Sequence, residues 1–172
     1  MLAALATILV QPVEAQGHSV VVVVAATDPD VNEDLENALA GDLHDRGVPV
    51  VDPSSIDVTY HEQARLAAER SLTGFSINYS AMAWITTRYH SDRAMLTRMR
   101  FSTRSAPYGE FTVYEVRAIA SYRCYDVIGK RLVSAGSFTS TGRGEDYATV
   151  RDRTAGEALL ALSRRAAVAL RT

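Results

Sequence analysis

Residues 19 to 26, "SVVVVVAA", form an unbroken apolar run that is β-branched and too short for an amphipathic helix. Such a run predicts a strand covered on both faces, central in its sheet. It stops at Asp28-Pro29-Asp30. Asp30-Val31-Asn32-Glu33 then has the spacing of a capping box, with Asp30 as the cap and Glu33 reaching back. Leu35, Leu39 and Leu43, joined by Val31 and Ala38, recur every three or four residues and predict a helix closed by Gly47. "VPVVDP" follows as a second short strand, in the β-α-β order that favours a right-handed parallel crossover.

Thr59-Tyr60-His61-Glu62 repeats the capping-box spacing, and "YHEQARLAAERSL" predicts a second helix running to Gly74. "AMAWITTRYH", rich in aromatic and β-branched residues, reads as a third strand starting near Ser80. Residues 91 to 109 fit either a strand with a long loop or a short helix, with Pro107-Tyr108-Gly109 as their firm turn. From Phe111 the pattern clears. Val116, Ala118, Ala120, Tyr122 and Cys124 alternate with Glu115, Arg117, Ser121 and Arg123, the mark of a half-exposed antiparallel strand. Ile128-Gly129-Lys130 turns the chain, and "RLVSAGSFTSTGRG" returns as the second arm of a hairpin, its Gly142-Arg143-Gly144 leading as a loop into the last helix. In that helix Ala155, Ala158, Leu159, Leu162, Ala166, Ala169 and Leu170 share one stripe. The expected fold is α/β, a two-layer sandwich with a mixed β-sheet, an antiparallel hairpin and a long C-terminal helix.

Length adds a boundary. Of the 172 residues, the first fifteen, "MLAALATILVQPVEA", are apolar and end in Val13-Glu14-Ala15, with small or aliphatic residues where a signal peptidase reads. We expect a signal peptide over 1–15, cut near Ala15-Gln16, and a single α/β domain over 16–172. The leader lacks an early Lys or Arg, so a plain N-terminal helix is the competing reading. Gln11-Pro12 interrupts the run, which is too short for a membrane span. Cys124 is the lone cysteine; it allows no intramolecular disulfide, sits nowhere near the leader's end, and reads as a small buried hydrophobe.

Charge is nearly balanced, with 18 basic and 20 acidic residues and a formal net charge of -2, so no global field draws the chain to nucleic acid or an anionic membrane. The distribution is uneven. Asp28, Asp30, Glu33, Asp34, Glu36, Asp42 and Asp45 crowd the front, whereas Arg88, Arg93, Arg98, Arg100 and Arg104 lie mid-chain with Trp84, Tyr89 and Phe101. Those arginines could form a basic aromatic surface for RNA; a contact with another protein, or a solvated face, is the simpler reading.

Candidate chemistry is sparse. Asp28 and Asp30 after a hydrophobic strand superficially resemble the nucleophile motif of haloacid-dehalogenase-type phosphatases, which also needs a cation for phosphate and further acidic groups for magnesium. Lys130, the lone lysine, sits in the expected hairpin turn. The turn after the first strand lacks the glycines of a phosphate loop. His18, His44, His61 and His90 are scattered without metal-binding spacing, and each fits an exposed or capping role. We expect no catalytic residue, no cofactor and no metal.

The hairpin carries a resemblance. Asp126, Gly129, Lys130, Leu132, Val133, Ser134 and Ala135, within "ASYRCYDVIGKRLVSAGSFTSTG", resemble the two-strand signature of periplasmic domains in bacterial envelope assembly. These are the curli-secretion family, the amino-terminal domain of the Tol propeller protein, the middle domain of flagellar assembly protein T, and the lipoprotein activators of penicillin-binding proteins. The order of elements over residues 19 to 171 is similar as well. "FSINYSAMAW" departs from the usual entry to the third strand, and the lipidated cysteine of many members is missing. The resemblance implies an exported, periplasmic, non-catalytic adaptor or assembly factor whose partners are other envelope proteins, with a homo-oligomer or ring possible, no nucleic acid and no membrane insertion. Alternation and charge nominate Arg98, Arg100, Arg104, Arg117, Ser121, Arg123 and Tyr125 as protein-contact residues. The rivals are a small magnesium-dependent phosphate-handling hydrolase centred on Asp28 and Asp30, and a nucleic-acid-binding module using the mid-chain arginines.

Overall fold

The structure, a computed structural model, describes residues 19–72, 83 and 86–171. The expected leader lies outside them, as do His18 and Trp84. Four strands, β1 (Val20–Ala26), β2 (Arg93–Tyr108), β3 (Phe111–Asp126) and β4 (Arg131–Gly144), form a mixed sheet in the order β1-β2-β3-β4. β1 and β2 are parallel, and β2, β3 and β4 are antiparallel neighbours. Helices α1 (Asn32–Asp45), α2 (Val58–Leu72) and α3 (Tyr147–Leu170) complete the α/β fold.

Alternation in β1 sorts the core into two halves. Val20, Val22 and Val24 pack with Leu35, Leu39 and Leu43 of α1 and with Ala158, Leu159 and Leu162 of α3. Val21, Val23 and Ala25 pack on the other face with Ala64 of α2, Ala94 and Leu96. Every residue of β1 is buried, as the valine run predicts, and each buried Val contributes about 1.5–3 kcal/mol.

β1 is nevertheless an edge strand rather than a central one. "VPVVDP" makes a single parallel bridge, Val20 to Val50, and the chain then leaves the sheet. Side chains of α1 take over where the strand ends: Asn32 Oδ1 accepts from the Ala26 N–H at 2.6 Å, and Glu36 Oε2 from the Val24 N–H at 2.9 Å. Glu36 is 2% exposed, and its other oxygen lies 2.5 Å from Nε2 of His61 on α2. His61 is therefore buried against a carboxylate, not exposed or capping as its isolation in sequence suggested.

Other expectations need correction. The strand starting near Ser80 is not formed, because Ala83 and residues 86–88 are helical, while 80–82, 84 and 85 lie outside the described residues. Its β propensity reflected side chains that fit several environments. The strand is instead β2, in the segment that fitted two readings: its first half is buried on both faces and its second exposed, so no period of two is visible. Neither capping box forms. Asp28 caps a 3-10 turn at Pro29–Val31, α1 begins after Val31 with no side-chain cap, and Asp57 Oδ1 accepts from the Thr59 N–H at 3.0 Å. Ala38 is exposed, and Glu36 is buried in the stripe of α1. Gly142-Arg143-Gly144 is not a loop but the end of β4. A Cβ on Gly144 would meet Val150 at 2.7 Å, and one on Gly142 would strike Thr154, so these glycines let α3 lie close on the strand.

Glu36→Ala leaves the buried Val24 N–H without its acceptor and removes the carboxylate beside buried His61, and should lower stability by about 2–4 kcal/mol in urea denaturation. Glu36→Gln, which keeps an acceptor for Val24, should cost clearly less.

Candidate functional site

Met95 and Met99 of β2 and Ala118, Ala120, Tyr122 and Cys124 of β3 point into the core formed with α1 and α3. The period of two therefore sends Arg98, Arg100 and Arg104 of β2 and Arg117, Ser121 and Arg123 of β3 to the opposite face. Register makes them neighbours: Arg98 lies across from Ser121, Ser102 from Arg117, and Arg104 from Glu115. The structure thus brings six of the seven nominated residues onto one patch. Arg100, Arg104 and Arg117 are exposed, and Arg98, Ser121 and Arg123 half-buried. Ser121 and Ser137 share a hydrogen bond at 2.9 Å.

The seventh residue, Tyr125, is 5% exposed and belongs to the cluster of Ala64, Leu96 and Val127. It shares the face but sits at the end that α2 covers, so it is core and not contact surface. Alternation identifies a face; it says nothing about how far along that face a helix reaches.

Electrostatically the patch is open. Among the described residues the side chains of Arg98, Arg100, Arg104 and Arg117 have no hydrogen bond or ion pair, whereas Arg143 of β4 donates from Nε to Glu115 at 2.6 Å. At the far end of the β2–β3 hairpin Tyr108 and Phe111 face each other, 76% and 58% exposed. Sequence reasoning missed this pair and Arg143; Tyr108 and Phe111 flanking Gly109-Glu110 were the available sign once Arg93–Tyr108 is known to be a strand. Arginine and aromatic side chains together are the residue types enriched at protein interfaces.

The basic aromatic cluster read from the mid-chain residues does not assemble as a unit. Arg88 lies over the Tyr60 ring, the Tyr89 hydroxyl accepts from the Asp57 N–H at 2.8 Å, and Phe101 packs against the core on the other face. Arg93 is 6% exposed, and its Nη1 donates to the Leu170 carbonyl at 2.8 Å, closing the last turn of α3.

The carboxylates after β1 have structural employment. Asp28 caps the 3-10 turn, and its Oδ2 accepts from Arg151 Nη1 of α3 at 2.7 Å; Asp30, expected to be the cap, is exposed within that turn. Lys130 cannot serve them, because register places the β3–β4 turn beside Val20 at the opposite end of β1, roughly 20 Å away. Cys124 is fully buried, and burial pushes its thiol up to about 12, where the nucleophilic thiolate is negligible at neutral pH.

The hairpin motif is a built turn. Asp126 Oδ1 accepts from the Gly129 N–H at 2.7 Å, Oδ2 accepts from Arg131 Nε at 2.9 Å, and Lys130 takes a left-handed φ of 48°. A Cβ at Gly129 would meet the Asp126 carboxylate at 2.7 Å, which accounts for the glycine. The Gly129 N–H and the Arg131 guanidinium hold Asp126 below its ordinary carboxylate range. Asp146, which accepts from the Thr149 N–H at the start of α3, is lowered in the same way. At Asp42 burial opposes the charge, but hydrogen bonds from Arg46 and from Ser163 of α3 outweigh it.

No protein-family model matches the sequence, and no curated protein matches it. Solved structures do share the fold. The hypothetical protein CT253 from Chlamydia trachomatis is similar at 10% identity and a TM-score of 0.54, covering 89% of this chain and 98% of its own. A variant PelC dodecamer from Paraburkholderia phytofirmans gives 14% identity and 0.50, covering 90% and 89%. Lipoprotein GNA1162 from Neisseria meningitidis gives 14% identity and 0.49, covering 88% and 99%. At these identities the likeness is one of fold. Among the described residues no helix is long and apolar enough to cross a membrane.

Because Asp126, Asp146 and Asp42 have lowered folded pKa values, their stabilisation is present above the ordinary carboxylate range and lost as pH falls through those lowered values. The melting temperature should therefore drop below about pH 4. Asp126→Asn should flatten that drop while lowering the melting temperature at neutral pH.

Proposed function

We propose that this chain is a non-catalytic factor of a bacterial cell envelope, exported by its N-terminal leader, and that it works by binding proteins through the open face of β2 and β3. The single observation that carries this reading is the arginine patch. Four guanidinium groups without ion partners among the described residues share a sheet face with a pair of exposed aromatic rings. A merely solvated face would have no need of that grouping, and rigid strands hold it in place. The resemblance of the Asp126-to-Ala135 turn to periplasmic assembly domains supports the envelope setting. Asp28, tied to Arg151, gives the hydrolase reading no free nucleophile.

Cross-linking in cells that express the full chain tests this. Arg100→Glu with Arg117→Glu should abolish cross-links to envelope proteins while leaving circular dichroism and melting temperature unchanged, since both side chains are exposed. Undiminished cross-linking in that double variant would overturn the assignment of the surface.

A further inference from the structure

Two surfaces of opposite sign lie apart on the molecule. The arginine patch occupies the face away from α1 and α3, and Glu115, already held by Arg143, is the acidic residue within it. The acidic counterpart lies on α1, beside the β1 edge. There Asp34 and Asp45 stand eleven residues apart, close to three helical turns, and so share one face. Both are exposed, and neither has an ion pair among the described residues. Between them the same face carries Ala38 and Gly41, both exposed, and a Cβ at Gly41 would meet nothing within 4 Å. The helix surface is therefore low in the middle and acidic at its ends.

We propose that the arginine patch binds the acidic face of α1 on a second copy of this chain. The dimensions match: Asp34 to Asp45 spans about 16 Å along the helix axis, and Arg98 to Arg104 about 20 Å along β2. Small residues at the centre of the helix face let it approach the strands closely. Charge supports a copy as the occupant, because one chain carries both the basic patch and the acidic helix face, a complementary pair of surfaces. The two surfaces differ and look in different directions, so the contact is head-to-tail and each molecule keeps one free surface of each kind. The proposal rests on the patch being a contact surface, and it adds the identity of one partner.

Sedimentation velocity of the full chain tests it. Self-association should weaken about tenfold or more between roughly 0.02 M and 0.5 M salt. Arg100→Glu/Arg117→Glu should be monomeric, and so should Asp34→Lys/Asp45→Lys. Mixing the two variants should restore association at 1:1 stoichiometry, because each retains one native surface that the other needs and the two reversed surfaces are complementary to each other. A wild-type chain that stays monomeric at low salt, or association that survives either reversal, overturns the proposal. Loss of envelope cross-links in Arg100→Glu/Arg117→Glu alongside a monomeric wild type would sink self-association and leave the envelope-partner reading standing; self-association without such cross-links would do the reverse.

Discussion

The buried carboxylate of Glu36 holds together three elements that the chain pattern alone does not join. One oxygen accepts the Val24 N–H at the open edge of β1, and the other meets His61 of α2. β1 is apolar on both faces, so its outward backbone groups, once the Val50 bridge has ended, would otherwise be an unsatisfied and adhesive edge. Asn32, one turn earlier on α1, does the same for Ala26. The edge is thereby closed with side chains instead of another strand. With β1 blocked in this way, the sheet grows in one direction only, through β2 and β3 to β4.

The packing of α3 completes the arrangement. Arg93 closes its C-terminal turn, Arg151 ties its first half to Asp28, and Ser163 reaches Asp42 of α1. Gly136, Gly142 and Gly144 keep that side of β4 low enough for Tyr122 and the first turns of α3. One face of the sheet is consequently covered up to the far end of the β2–β3 hairpin, which is exposed. Among the described residues, α2 covers the other over β1, the start of β2 and the end of β3, and Arg100, Arg104 and Arg117 are exposed.

Much of this was legible in the residues. The valine run, the leucine stripe of α1, the alternation of β3 and the apolar stripe of α3 each report the burial of a side chain, and burial is what hydrophobic pattern encodes. What the pattern did not report was neighbourhood. β1 reads as central because both its faces are covered, but hydrogen-bonded neighbours lie in the plane of the sheet, where side-chain hydrophobicity is silent. Glu36 and His61 are polar residues buried by each other, so each looks like surface when read singly. β2 is dry on both faces at one end and wet on both at the other, and so shows no period. Alternation places Arg98, Arg100, Arg104, Arg117, Ser121 and Arg123 on one face, but it does not show that Tyr125, on the same face, is buried, because the reach of α2 along that face depends on tertiary packing.

Asp34 and Asp45 are exposed on α1, and arginines share the sheet face of β2 and β3 with two exposed aromatic rings. The central claim is that this open face is where the protein meets others. Thr139 of β4 is exposed and lies across from Ile119 on that face, and Val168 is exposed on α3. The most direct measurement places a photo-activatable cross-linking residue at either position in the full chain within living cells. Protein adducts from position 139 and none from position 168 are the predicted result; adducts from 168 with none from 139 would contradict the account.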